Sequence, residues 1–319
     1  MNKIGTAQIL PGEKTEGYIQ FGSDIDGSPF QIPVLIATGK EDGPVVWVQG
    51  CIHGDEFGGA ASIIRFFQEL NVDSLKGTFI GVPVVNLPSY KDRSRISPLD
   101  GANLNRVFPG DPNGTYSLRL ADKIQELIIN HADYLFDLHS GGIALYCPFF
   151  TICKGGDSEA AKKSRWLSER MGTKIVWVTD STNSVNGTVT DYVMNAGIPT
   201  VTVEVGGGVV TEEHEELFKT SIKNGMKALE MLDGDPVEFD EYEVYTKGDF
   251  IFSPAGGLFV PACEAGSKLN KGDLIGTIIN LHGEVLEEIR CKEDNSFLAA
   301  TGHRYWPTEM GRLIAETYS

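Results

Sequence analysis

Residues 45–56 read VVWVQGCIHGDE, and this stretch decides the fold. Val45, Val46, Trp47 and Val48 form a continuous apolar run that stops at Gly50. An apolar run without polar alternation fits a strand covered on both faces, as in an α/β sheet. Ligands of such sheets collect beyond the carboxyl ends of the strands. His53, Asp55 and Glu56 fall there. An imidazole and a carboxylate three residues apart in a turn can converge on one metal ion, and zinc takes nitrogen and oxygen ligands of this kind. The His-x-x-Glu pattern alone is common by chance, and a satisfied loop histidine with an acidic helix start would explain it equally well.

The flanking sequence supports the α/β reading. Phe57, Ala60, Ile63, Ile64 and Phe67 recur at helical spacing, which predicts a helix ending near Leu70. Further apolar runs predict strands at 30–38, 79–85, 134–138, 145–153, 175–178 and 199–205. Pro33 favours an edge position for the first of these. Helices are expected over residues 120–128, 157–171, 188–196 and 211–232. Residues 87–116 are polar and rich in Gly and Pro, and long loops of this kind in compact domains are commonly functional. The expected fold class is therefore α/β, a mixed central sheet flanked by helices. Residues 1–235 form the main domain, with 1–30 as a β-extension. After an acidic linker, short strands and Gly turns over 244–319 predict a smaller C-terminal all-β domain, a barrel or sandwich.

The 319 residues carry a net charge of −17, which argues against nucleic acid and anionic membrane surfaces as partners. An anionic small molecule would need a local positive pocket. Five widely spaced cysteines without a C-x-x-C pair fit a reduced, cytoplasmic protein, and residues 1–14 have no apolar core of a signal peptide.

Three strand ends carry polar groups suited to one site: His53 with Glu56, His139 after Asp137-Leu138, and Glu204 before three glycines. Two histidines and a carboxylate make a zinc site with one position left for water, and a further carboxylate can take that water's proton. A carboxylate inside an apolar strand is costly unless it has a task or a partner, although Glu204 could instead point out of a sheet edge. Arg93, Arg95, Asn105 and Arg106 in the long loop supply positive charge and an amide, enough to clamp a carboxylate or to stabilise an oxyanion. A solvated basic loop would look the same.

HGDE at 53–56, LNRVFPG at 104–110, DLHSGG at 137–142 and VEVGGG at 203–208 occur in this order. The series resembles the succinylglutamate desuccinylase/aspartoacylase branch of the zinc carboxypeptidase superfamily, over the whole chain. The resemblance implies His53, Glu56 and His139 as ligands of one Zn2+ per chain, and Glu204 as general base. It implies Asn105 and Arg106 as holders of the substrate carboxylate. It implies Arg95 as the residue that polarises the scissile carbonyl, with Arg93 as the competing position. It also implies that the C-terminal β domain covers the site and favours small substrates. Ser140-Gly141-Gly142 departs from the Asn/Thr-rich stretch of aspartoacylases, which leaves the acyl group open.

The expected function is a zinc-dependent deacylase (an amidohydrolase) of small N-acyl amino acids, with ester cleavage as a side activity and a homo-oligomer compatible with the family. The alternatives are a metallocarboxypeptidase for short peptides, thiol chemistry at Cys51, and a non-catalytic binding protein that retains the fold.

Overall fold

The computed structural model describes residues 2–180 and 185–319. Its frame is a mixed sheet of 13 strands among the described residues. The first eight main strands are β1 (Lys14–Ser23), β2 (Pro29–Thr38), β3 (Glu41–Gln49), β4 (Lys76–Val82), β5 (Tyr134–His139), β6 (Leu145–Lys154), β7 (Ile175–Thr179) and β8 (Thr200–Gly207). They lie side by side in the order β1-β2-β4-β3-β5-β8-β6-β7. Strands β4, β3, β5 and β8 are mutually parallel, β1 and β2 run antiparallel to their neighbours, and β6 runs antiparallel to β8 but parallel to β7. Strand β2 is not the edge strand, since β1 flanks it. At Pro33, however, the ladder is one-sided: β4 pairs only with Leu35–Thr38, so the missing N–H costs no bond.

Side chains alternate faces along each strand. Trp47 and Leu135 join one core with Leu120, Ile124 and Val189, contributed by helices α3 (Tyr116–His131) and α5 (Val189–Asn195). Val46, Val48, Phe136 and Val203 join the other, with Ile63 and Phe218 from α1 (Phe57–Glu69) and α6 (Glu212–Ala228). The inner face of α1 differs slightly from expectation. Phe66 is buried, Phe67 only partly, and Ile64 is 40% exposed. Residues 87–116 are not structureless: they contain helix α2 (Leu87–Asp92), with Pro88 in its first turn where no N–H is needed, and a single 3-10 turn at Leu104–Arg106.

Residues beyond 243 are all strand and turn. Four of those strands make a separate antiparallel sheet. Two others, β9 (Ser296–Gly302) and β10 (Leu313–Tyr318), extend the main sheet. Thr301 and Gly302 of β9 pair with Tyr146 and Leu145, the half of β6 that β7 leaves free. The chain's last strand is thereby carried to the same end of the sheet as His53.

Candidate active site

The site begins where β3 ends. Gly50 packs so closely under α1 that a Cβ there would lie 3.0 Å from the Ala60 nitrogen, and at Gly54 it would lie 2.0 Å from the Ser89 carbonyl carbon. The turn is thus pressed between two helices, which fixes where His53 and Glu56 point. Glu56 is the N-cap residue of α1, yet its side chain makes no capping bond. It turns inward. Its Oε1 lies 2.8 Å from His53 Nδ1, and its Oε2 lies 2.9 Å from His139 Nδ1. All three side chains are buried, and their ligand atoms lie within 4.8 Å of one another.

The outer nitrogens are held as well. His53 Nε2 faces Asn103 Oδ1 at 3.1 Å, and His139 Nε2 faces Asp137 Oδ2 at 2.9 Å. Two residues apart on one strand, Asp137 and His139 share a face. Gln49 donates to Asp137 at 3.0 Å, and Trp47 donates to Gln49 at 3.1 Å. A chain of hydrogen bonds therefore runs along this face from the core to the outer nitrogen of His139. Such outer partners orient a ligating imidazole and raise its basicity. With both Nδ1 atoms turned onto one carboxylate, the donor set fits a zinc ion.

Burial, aided by the Arg95 charge, pushes His53 down to about 4, so its ring is neutral and has a free lone pair. For His139 burial pulls the same way, but the carboxylates of Asp137 and Glu56 outweigh it and hold the ring well above the ordinary histidine value. Glu56 is ionised: burial opposes its charge, but the two histidines more than offset this. Arg95 donates to Glu56 Oε1 at 2.8 Å.

Glu204 is brought in by strand register. It lies beside His139 across the β5–β8 ladder. Since Val203 and Val205 belong to the α1–α6 core, Glu204 faces the other way, with His139. Its partly buried carboxyl is pushed up to about 8, first by burial and then by the neighbouring Glu56 and Glu316. The glycines that follow are required by packing. A Cβ on Gly206, which has φ +74°, would meet the His214 ring at 2.8 Å, and one on Gly207 would meet the Leu145 carbonyl oxygen at 2.5 Å.

Asn105 and Arg106 reach the same cleft, of about 130 Å³, together with His53, Arg95, His139 and Glu204. Asn105 Oδ1 accepts from the Val189 N–H at 2.9 Å, which leaves its NH2 free to donate into the cleft. Burial and the Arg95 charge lower Arg106 to about 10, so it stays cationic at neutral pH. Arg93, the left-handed C-cap residue of α2 with φ 55°, does not line this cleft, whereas Arg95 does.

Two residues escaped the sequence reading. Asp55 is neither a cap nor exposed: its Oδ2 accepts from the Ile143 N–H at 3.2 Å, tying the HGDE turn to the loop after His139. Gly142 sits so close that a Cβ would lie 2.4 Å from that carboxylate. Glu316, from β10, projects into the cleft and accepts from the Tyr318 hydroxyl at 2.7 Å. The signal for it was present, a carboxylate inside the apolar strand LIAETY, the same anomaly as Glu204. Cys51 is fully buried and its thiol is pushed up, chiefly by burial and then by Glu56, so no thiolate is available for catalysis there.

Known proteins are similar to this chain along most of its length. Residues 42–229 match the model of the succinylglutamate desuccinylase/aspartoacylase catalytic domain. The N-alpha-acetyl-L-2,4-diaminobutyric acid deacetylase of Halomonas elongata is 27% identical over 293 residues, covering 89% of this chain and 84% of the relative. The product-bound ectoine utilization protein EutE (DoeB) of Ruegeria pomeroyi superposes with a TM-score of 0.87 at 24% identity, over 99% of both chains. A succinylglutamate desuccinylase of Silicibacter sp. TM1040 gives 0.86 at 24% identity, over 99% of this chain and all of the other.

Proposed function

We propose, from the premise that this chain belongs to the succinylglutamate desuccinylase/aspartoacylase family of deacylases, that it is a zinc-dependent hydrolase of a small N-acyl amino acid. The observation that carries the reading is the convergence of His53 Nδ1 and His139 Nδ1 on the two oxygens of Glu56, with Glu204 in register beside His139. His53, Glu56 and His139 would hold the ion. A zinc ion supplies a Lewis acid and makes water acidic near neutral pH.

The chain's own groups divide the rest of the work. Asn105, through its free NH2, and Arg106 bind the substrate's carboxylate and set the amide in the cleft. Glu204 takes a proton from the attacking water and delivers it to the departing amine nitrogen, so that an acid and a free amine result. In the metal-free protein burial holds this carboxyl above the ordinary glutamate range, which favours its holding the proton it passes on. Arg95 leaves Glu56 for the carbonyl oxygen and stabilises the negative charge that develops there. Buried Asp137 holds the His139 ring in place throughout.

The Halomonas relative is named for an acetylated diamino acid, and an N-acyl α-amino acid is the matching substrate class for this cleft. The test is to load the protein with zinc and supply a panel of N-acyl amino acids, scoring amine release alongside metal content. About one zinc per chain and hydrolysis abolished by chelation are expected. Turnover that survives complete removal of metal would sink the reading.

A further inference from the structure

A second chamber, of about 360 Å³, lies against the first. The two share Arg95, Glu204 and Glu316, so these residues form a partition between them. Their other walls differ in chemistry. The first has Asn105 and Arg106 and a polar lining. The second has Ile143, Ala144, Leu145, Cys147, Phe150 and Leu313 alongside charged Asp55, Glu56, Arg93 and Arg312, and its exposed lining is more apolar than polar. An amide has two ends, and the proposed base and carbonyl-polarising residue stand on the partition. A substrate whose carboxylate is held by Arg106 must therefore place its acyl group on the other side.

We propose that the second chamber is the acyl subsite and that it takes a non-polar acyl chain longer than acetyl. This rests on the deacylase reading above. A water-sized group such as the acetyl methyl needs only roughly 10–15 Å³ of such room, so acetyl would leave most of the chamber unfilled. A dicarboxylic acyl group fits less well. Four carboxyl groups, of Asp55, Glu56, Glu204 and Glu316, line the chamber against three arginines, so its wall carries no surplus of positive charge for a second carboxylate. Of the three arginines on its wall, Arg95 is assigned to the carbonyl oxygen, Arg312 is half-exposed and lies 3.6 Å from Glu309, and Arg93 is exposed to solvent. Phe150, Leu145 and Cys147 are buried, and they offer a long chain an apolar surface that leaves water as the chain enters.

The proposal is tested with zinc-loaded protein and Nα-acyl-L-2,4-diaminobutyrates bearing acetyl, butyryl, hexanoyl or succinyl groups. In parallel, calorimetry measures the binding of acetate, butanoate and hexanoate, which needs no turnover. We expect kcat/KM and carboxylate affinity to rise by up to about fourfold per added methylene. Ala144→Phe, which fills the chamber, should cut the hexanoyl-to-acetyl ratio at least tenfold. Ile143→Trp, at a position 39% exposed, should do the same if the first variant folds poorly. A succinyl preference abolished by Arg93→Ala or Arg312→Ala would overturn the proposal, as would flat chain-length profiles. If no amide is cleaved while carboxylate affinity still climbs with length and falls in Ala144→Phe, the deacylase reading fails and the apolar subsite stands.

Discussion

The two walls of the cleft are built differently. One wall consists of strand ends. His139 and Glu204 lie on neighbouring parallel strands in register, and His53 and Glu56 follow a third. The other wall comes from the 87–116 segment and the last strand of the chain, which bring Arg95, Asn105, Arg106 and Glu316. The first wall is fixed by ladder hydrogen bonds and two packed cores. The second is held by turn contacts, such as Asn105 Oδ1 on Val189 N, and by pairing at the free half of β6. The proposed zinc ligands and base thus stand at strand ends, while the proposed carboxylate-holding pair Asn105 and Arg106, and Arg95 with them, stand on a segment that can vary without disturbing the sheet.

The largest effect should come from the strand wall. Glu204→Gln keeps the shape and removes the proposed base, and kcat should fall by about a hundredfold to ten-thousandfold. Zinc content should not change, because the ligand set is untouched. A Gln variant within tenfold of wild type in kcat would mean that the proton moves elsewhere. On the other wall, Arg95→Met should lower kcat by about a hundredfold to a thousandfold, the range for loss of one oxyanion donor. Arg93→Met, two residues before Arg95 but outside the cleft, should have a far smaller effect on cleavage of the acetyl substrate. If the two arginine variants exchanged these outcomes, the loop would have to reach the carbonyl by another route.

The same contrast governs what could be read in advance. Strand ends are legible because apolar runs mark strands, and a polar residue just past the run marks the site. The order of the motifs, through the family resemblance, put His139 and Glu204 in one site, while the strand period alone left the face of Glu204 open. Glu316, a carboxylate in an apolar strand like Glu204, was missed for another reason: β10 joins the main sheet some 100 residues after β8, through β9. Nothing local in LIAETY says which sheet it will extend. The 87–116 segment was legible as functional but not in shape, because Leu87 and Pro88 start a helix too short for any periodicity to show. Asp137 stood in plain view within DLHS, and only the faces of β3 and β5 reveal that Gln49 and Trp47 continue its hydrogen bonds.

That chain of hydrogen bonds gives the subtlest difference between the walls. Asp137→Asn preserves volume but removes the charge that holds His139 Nε2. Outer-partner losses of this type lower metal affinity by about tenfold to a hundredfold. The loss should depend on pH in a defined way. Burial acts to lower His139, but Asp137 first and Glu56 second hold it well above the ordinary value in the metal-free protein. A proton therefore competes with the metal for wild-type His139, and its affinity must fall as pH drops through that raised value. In Asp137→Asn the ring loses its main support for the proton, so competition begins only at lower pH. The ratio of wild-type to variant zinc affinity should thus be widest in alkaline buffer and narrow as the solution is acidified. Competition titrations with a chelator from pH 6 to 9 measure it directly. A ratio that stayed constant across that range would show that Asp137 only packs the ring and does not set its charge.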